Sequence, residues 1–172
     1  VRPSADRTWL DVAAVIARRS TCLRRAVGCV LIGVHGDVIG AGFNGVAPGQ
    51  PHCNEALFRP THASLVERPP HSCDVALGGA VEYANACPGA RAPSGTALDA
   101  CRALHAEANA LVSCRTPFEV DVCYLTVSPC VPCAKLLLRT PCRRVVFSEE
   151  YVNTDARALW EGAGREWRLM PP

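Results

Sequence analysis

Lysine is almost missing: Lys135 stands alone beside 17 arginines. Aromatic residues make up 6% of the 172 positions, and there is one methionine. No apolar run approaches the roughly 20 residues that a membrane-crossing helix needs. The opening stretch, Val1 to Arg7, has no apolar segment of the kind a secretory signal carries. Membrane and signal-bearing classes are therefore not expected. An excess of one charge is also missing. Eighteen basic against 16 acidic residues leave +2, too balanced for general affinity toward nucleic acid or a membrane surface. Basic character is local, at Arg18-Arg19, Arg24-Arg25 and Arg143-Arg144.

Cysteine is plentiful. Eleven in 172 residues is below the density of a disulfide scaffold, and an odd number cannot pair fully within one chain. The expectation is a cytoplasmic protein whose thiols serve metal binding or catalysis. The length suits one domain over 1–172 with a conventional core.

Apolar spacing of three and four from Thr8 to Arg19 predicts a helix. Val27–Ile32 and Val38–Gly42 read as a strand hairpin around the turn at Gly33–Asp37. Residues 54–100 are rich in Pro and Gly and read as a long irregular insertion, with one short helix near Ala80–Asn85. Then follow a helix (Leu104–Cys114), a strand (Val122–Val127), a helix (Val131–Arg139) and a strand (Arg144–Phe147). A helix (Asn153–Glu161) and a strand (Arg165–Met170) complete the chain. Strands alternating with helices imply parallel pairing with right-handed crossovers. The expected fold is α/β: a three-layer α/β/α sandwich around a five-stranded mixed sheet.

Two stretches carry chemistry, His105-Ala-Glu107 and Pro129-Cys130-Val-Pro-Cys133. Each lies where a loop enters a predicted helix. Cys-x-x-Cys at a helix start lets two thiolates grip one metal, favoured by the exposed N–H groups there. One histidine brings the count to three, which leaves a tetrahedral zinc one open position, as in catalytic sites. Glu107 is spaced to move protons beside that metal without ligating it. A lone Cys-x-x-Cys is often half of a structural zinc knuckle, and a lone His-x-Glu means little. Together, H-x-E…P-C-x-x-C is the signature of zinc deaminases.

Further stretches accompany these: Arg19 to Gly28 with Ser-Thr-Cys22, Gly42-Phe-Asn-Gly45, Pro51-His-Cys53, His105 to Ala110, and Tyr124 to Ala134. In this order the chain resembles the cytidine and deoxycytidylate deaminase superfamily, most closely its deoxycytidylate (dCMP) deaminase branch of phage and bacterial type. The resemblance runs from near Thr8 to about Tyr151, with no clear counterpart for 54–100. It implies a cytidine deaminase-like fold and hydrolysis of dCMP, or of a 5-modified dCMP, to dUMP and ammonia. His105, Cys130 and Cys133 match the ligands of the catalytic zinc, and Glu107 the acid/base. Asn44 matches a residue that contacts the sugar, although Asn-Gly is also a common turn pair. The backbone N–H groups of Ala106 and Cys130 would face the base. Phe43 departs from the branch, which usually has Tyr there, in a loop that relatives use for dCTP/dTTP regulation.

The resemblance also implies a second, structural zinc. Cys22, Cys53 and Cys101 match its ligands, with His62, His71 and Cys73 as candidates for the fourth. The plainer alternative is that these are buried free thiols. Cys29, Cys123 and Cys142 read as core, while Cys87 and Cys114 have no assigned role. Arg24 and Arg25 are candidates for a substrate phosphate, and Tyr151 for the rim of the pocket. Each of these three is equally an ordinary surface residue. Relatives are commonly hexamers, so a homo-oligomer is expected. Two other functions stay open: a deaminase acting on another nucleoside, nucleotide or nucleic-acid base, and a non-catalytic zinc-stabilised module.

Overall fold

The computed structural model describes residues 2–54, 85–93, 96–152 and 155–172. Ser4 starts the first helix, its Oγ accepting the N–H of Arg7 at 3.1 Å. Helix α1 therefore spans Ala5–Ala17, beginning one turn earlier than apolar spacing alone suggests. Strands β1 (Gly28–Gly33) and β2 (Val38–Phe43) form the expected hairpin, with Gly36 at φ +82° in its turn.

A second, two-stranded sheet joins β3 (Gly45–Val46) to β4 (Ala103–Leu104), which sequence periodicity did not indicate. Next come α2 (Ala106–Ser113), β5 (Val120–Val127), α3 (Val131–Leu138) and β6 (Arg144–Glu149). Helix α4 (Asp155–Gly162) and β7 (Glu166–Leu169) end the fold. The expected helix near Ala80–Asn85 and the candidate ligands His62, His71 and Cys73 fall wholly or largely outside the described residues. In the described end of the insertion the chain makes two 3₁₀ turns, at Pro88–Arg91 and Leu98–Ala100.

The main sheet runs β2-β1-β5-β6-β7. β1 pairs antiparallel with both β2 and β5, whereas β5, β6 and β7 are parallel. This is the mixed five-stranded sheet the element order implies. Successive side chains of a strand face opposite sides. Val30 and Ile32 meet Leu10 and Ala13 of α1, with Val122, Tyr124 and Val146. Cys29 and Leu31 face the other layer, with Ala110 of α2, Leu137 of α3 and Trp160 of α4. All six residues of β1 are buried because both faces are covered.

Two contacts set the position of α2, and with it the site. Gly42 lies directly beneath the helix, where a Cβ would run into the Ala106 carbonyl and the Ala110 N–H. The Asn109 amide donates to the Phe43 carbonyl at 2.8 Å, fixing the helix lengthwise. The start of α2 is thereby held at the end of β2, facing the carboxyl end of β5. In α/β sheets such carboxyl ends are where ligands bind.

Candidate active site

His105 is the N-cap of α2 and Cys130 the N-cap of α3, and neither side chain caps its helix. Residues that ordinarily cap, Ser, Thr, Asp and Asn, are absent from both positions. Both side chains instead turn toward each other. His105 Nδ1 lies 3.3 Å from Cys130 Sγ and 3.4 Å from Cys133 Sγ. The three donor atoms lie within 4.8 Å of one another, and no other trio among the described residues is recorded at that spacing. A tetrahedral zinc with Zn–S of about 2.3 Å and Zn–N of about 2.05 Å separates S from N by about 3.6 Å. The observed spacings are within a few tenths of an ångström of that, and the N/S/S donor set suits zinc.

The electrostatics favour a thiolate. Hydrogen bonding from the Cys133 thiol and from His105 pulls Cys130 down to about 4. The same bond keeps the proton on Cys133, whose value is raised. His105 is raised in turn, first by its bond to Cys130. Glu107, in the first turn of α2, is 4% exposed. Burial pushes its carboxyl up to about 7, so it holds and releases a proton near neutrality.

One cleft opens on this group. His105, Ala106, Glu107 and Cys130 line one part, and Asn44, Arg24 and Arg25 another. Tyr151, Cys22 and Cys101 also line it. Cys133 and Cys53 are buried and do not line the cleft.

Asn44 is a clamp more than a turn residue. Its Oδ1 accepts from the Ser20 hydroxyl at 2.7 Å and from Val27 N–H at 2.8 Å, and its Nδ2 donates to the Arg25 carbonyl at 2.7 Å. It ties the 20–27 loop to the end of β2, where it lines the cleft. Arg24 donates to the Thr96 carbonyl at 2.8 Å, which draws it toward the insertion. Arg25 has one terminal nitrogen, Nη1, buried with no partner among the described residues.

Sequence reading missed two residues beside the cleft. Ser128, 4% exposed, lines it and accepts the Tyr151 N–H at 2.7 Å. Its place just before Pro129-Cys130 was the available signal.

The second is Cys87. Burial raises a thiol, yet hydrogen bonds from the N–H groups of Arg102 and Ala90 and from the Cys53 and Cys101 thiols bring Cys87 below its ordinary value. Cys53 accepts the Cys87 N–H, but burial outweighs this and raises both Cys53 and Cys101. Gly89 makes this packing feasible, because a Cβ there would come within 2.8 Å of the Cys101 backbone. Cys87 thus hydrogen-bonds to two of the three expected cysteines, Cys53 and Cys101, although no three of these sulfurs lie within 4.8 Å of one another. Cys29 and Cys123 are core, as expected, with sulfurs 3.5 Å apart, and Cys142 and Cys114 are buried as well.

The family model "Cytidine and deoxycytidylate deaminase zinc-binding region" matches residues 3–149. The chain belongs to this family. It is 33% identical over 150 residues to the deoxycytidylate deaminase of Mycobacterium phage D29, covering 87% of this chain and 98% of that one. It is 31% identical over 178 residues to the deoxycytidylate deaminase of Schizosaccharomyces pombe, where the match covers 99% of this chain and 46% of the relative. The chain thus spans about half the length of that yeast relative and nearly all of the phage one. A solved dCMP deaminase of cyanophage S-TIM5, in complex with dCMP and dUMP, has the same fold, with a TM-score of 0.63 at 23% identity, covering 99% of each chain. No helix among the described residues is long and apolar enough to cross a membrane.

Proposed function

We propose that this deaminase-family chain hydrolyses dCMP, or a dCMP modified at C5, to dUMP and ammonia. The observation that carries this reading is a buried Glu107 beside the His105–Cys130–Cys133 group, in a cleft also lined by Arg25, whose Nη1 is buried without a partner among the described residues. His105 Nδ1 and the Cys130 and Cys133 sulfurs would hold zinc. When bound, zinc supplies a Lewis acid that makes water a competent nucleophile near neutral pH.

Water adds at C4 of the pyrimidine and the C4–N4 bond breaks. Glu107 takes the first proton of the water and delivers it to ring N3, then takes the proton of the new C4 hydroxyl and delivers it to the leaving amine, and so ends as it began. The N–H groups of Ala106 and Cys130, at helix starts, face the base as donors. The free amide hydrogen of Asn44 reaches the sugar. Arg25 meets the 5′-phosphate through Nη1, with Arg24 beside it, and Tyr151 borders the pocket.

A second zinc is part of this reading. Cys22, Cys53, Cys87 and Cys101 would hold it, with Cys87 as the fourth ligand. The hydrogen bonds from the Arg102 and Ala90 N–H groups support a thiolate at Cys87. Such a site would tie the end of the 54–100 insertion to the loop that carries Arg24 and Arg25, offsetting part of the entropy of ordering it. Homo-oligomeric, hexameric assembly and dCTP/dTTP regulation through the loop at Phe43 complete the proposal, in a reducing, cytoplasmic compartment.

The deciding experiment ranks dCMP, deoxycytidine and 5-hydroxymethyl-dCMP by kcat/KM with the zinc-loaded protein. A nucleotide should lead the ranking. Preference for deoxycytidine over both nucleotides would contradict the phosphate role of Arg25.

A further inference from the structure

Arg25 is held at two points. Its main-chain carbonyl accepts the Asn44 amide at 2.7 Å, and its Nη2 donates to Glu149 Oε1 at 2.8 Å. The guanidinium is planar, so fixing one terminal nitrogen fixes the direction of the other. That other nitrogen, Nη1, is buried with no partner among the described residues, and Arg25 lines the cleft. A buried N–H donor without a partner costs free energy unless a ligand supplies the acceptor.

Glu149 is itself well anchored. It is the last residue of β6, and its carbonyl accepts the Ser128 N–H at 2.8 Å. Two residues on, the Tyr151 N–H donates to Ser128 Oγ. The Ser128 pair of bonds thus brackets the segment that presents Glu149. The carboxylate does not line the cleft and is 59% exposed, so it acts on a ligand only through Arg25.

We propose that Glu149 is a positioning residue that aims the free edge of Arg25 at a phosphate monoester, and so helps this site distinguish nucleotides from nucleosides. The proposal rests on the reading that Arg25 meets the substrate phosphate. An exposed ion pair contributes little to stability. Its contribution here is orientation, which a planar donor passes on to the next acceptor.

The test uses the zinc-loaded full chain and measures binding of dUMP and deoxyuridine by calorimetry, together with dCMP kinetics. In Glu149→Ala the Kd for dUMP should rise about fivefold, the scale of one well-oriented surface pair. KM for dCMP should rise with it while kcat changes less than about twofold, and deoxyuridine binding should change less than about twofold. Glu149→Gln keeps an oxygen acceptor and should recover most of the lost affinity. Three results overturn the proposal: unchanged dUMP affinity in Glu149→Ala, an equal loss for deoxyuridine, or Glu149→Gln as impaired as Glu149→Ala. Arg25→Ala separates the two levels. If it leaves dUMP affinity unchanged, the phosphate reading itself fails; if it weakens dUMP and Glu149→Ala does not, Glu149 alone is excluded.

Discussion

His105 Nδ1 and Cys130 Sγ are 25 positions apart in sequence and 3.3 Å apart in space. They meet because each opens a helix that follows a strand, and the two helices start at the same end of the sheet. A metal held by this pair and Cys133 depends on all three donors. Cys133→Ser should lower zinc by about one equivalent per chain in elemental analysis and remove deaminase activity. Retention of full zinc content would exclude Cys133 as a ligand.

The cysteine cluster makes a separable prediction. Cys87→Ser should lower zinc content by about one per chain and lower the melting temperature, because the insertion loses its tie to the 20–27 loop. Cys29→Ser is the control: its sulfur lies in the core beside Cys123, and zinc content should not change. A Cys87 variant with unaltered zinc would remove it from the ligand set.

Gly42→Ala tests how α2 is placed. The new methyl group meets the backbone at Ala106 and Ala110, and helix backbone cannot yield as a side-chain tip does. Stability should fall by roughly 1–3 kcal/mol in denaturant melts. kcat should fall too, because His105 and Glu107 move with the helix. An active, equally stable variant would show that β2 and α2 do not need this close approach.

Acid stability should depend on Asp6. Its carboxylate accepts from the Tyr124 hydroxyl at 2.6 Å and from Arg144 at 2.9 Å, and pairs with Arg168 at 3.0 Å. Burial pushes its carboxyl up, but the Tyr124 hydrogen bond and the two arginines outweigh that and hold it below the ordinary 3.8. A lowered folded-state value contributes stability above the unfolded value and loses it as pH falls through the folded one. Asp6→Asn should cost roughly 1–3 kcal/mol at pH 7, since it leaves Arg144 short of a counter-charge. It should also flatten the decline in stability below pH 4. Melts at pH 7 and pH 3 check both effects.

Much of this was legible in the sequence. The continuous apolar run of β1 and the three- and four-residue apolar spacing of α1 are local consequences of a sheet covered on both faces, so the types and order of the longer elements could be read directly. The His105–Glu107 and Cys130–Cys133 spacings could be read because each lies within one helical turn. Cys87 was not legible, because its partners Cys53 and Cys101 lie 34 and 14 positions away across an irregular stretch with no periodicity. The strand pair β3–β4 is two residues long on each side, too short for any pattern. Glu149 carries no motif, and only the register of β6 against Ser128 brings it to Arg25.

The most direct measurement follows dCMP with the zinc-loaded protein and with Glu107→Gln, recording dUMP and ammonia together. Wild type should yield the two in equal amounts. The variant should keep its zinc and turn over roughly 10²–10⁴ times more slowly. A zinc-loaded wild type that leaves dCMP unchanged, or a Glu107→Gln variant as fast as wild type, would contradict the account.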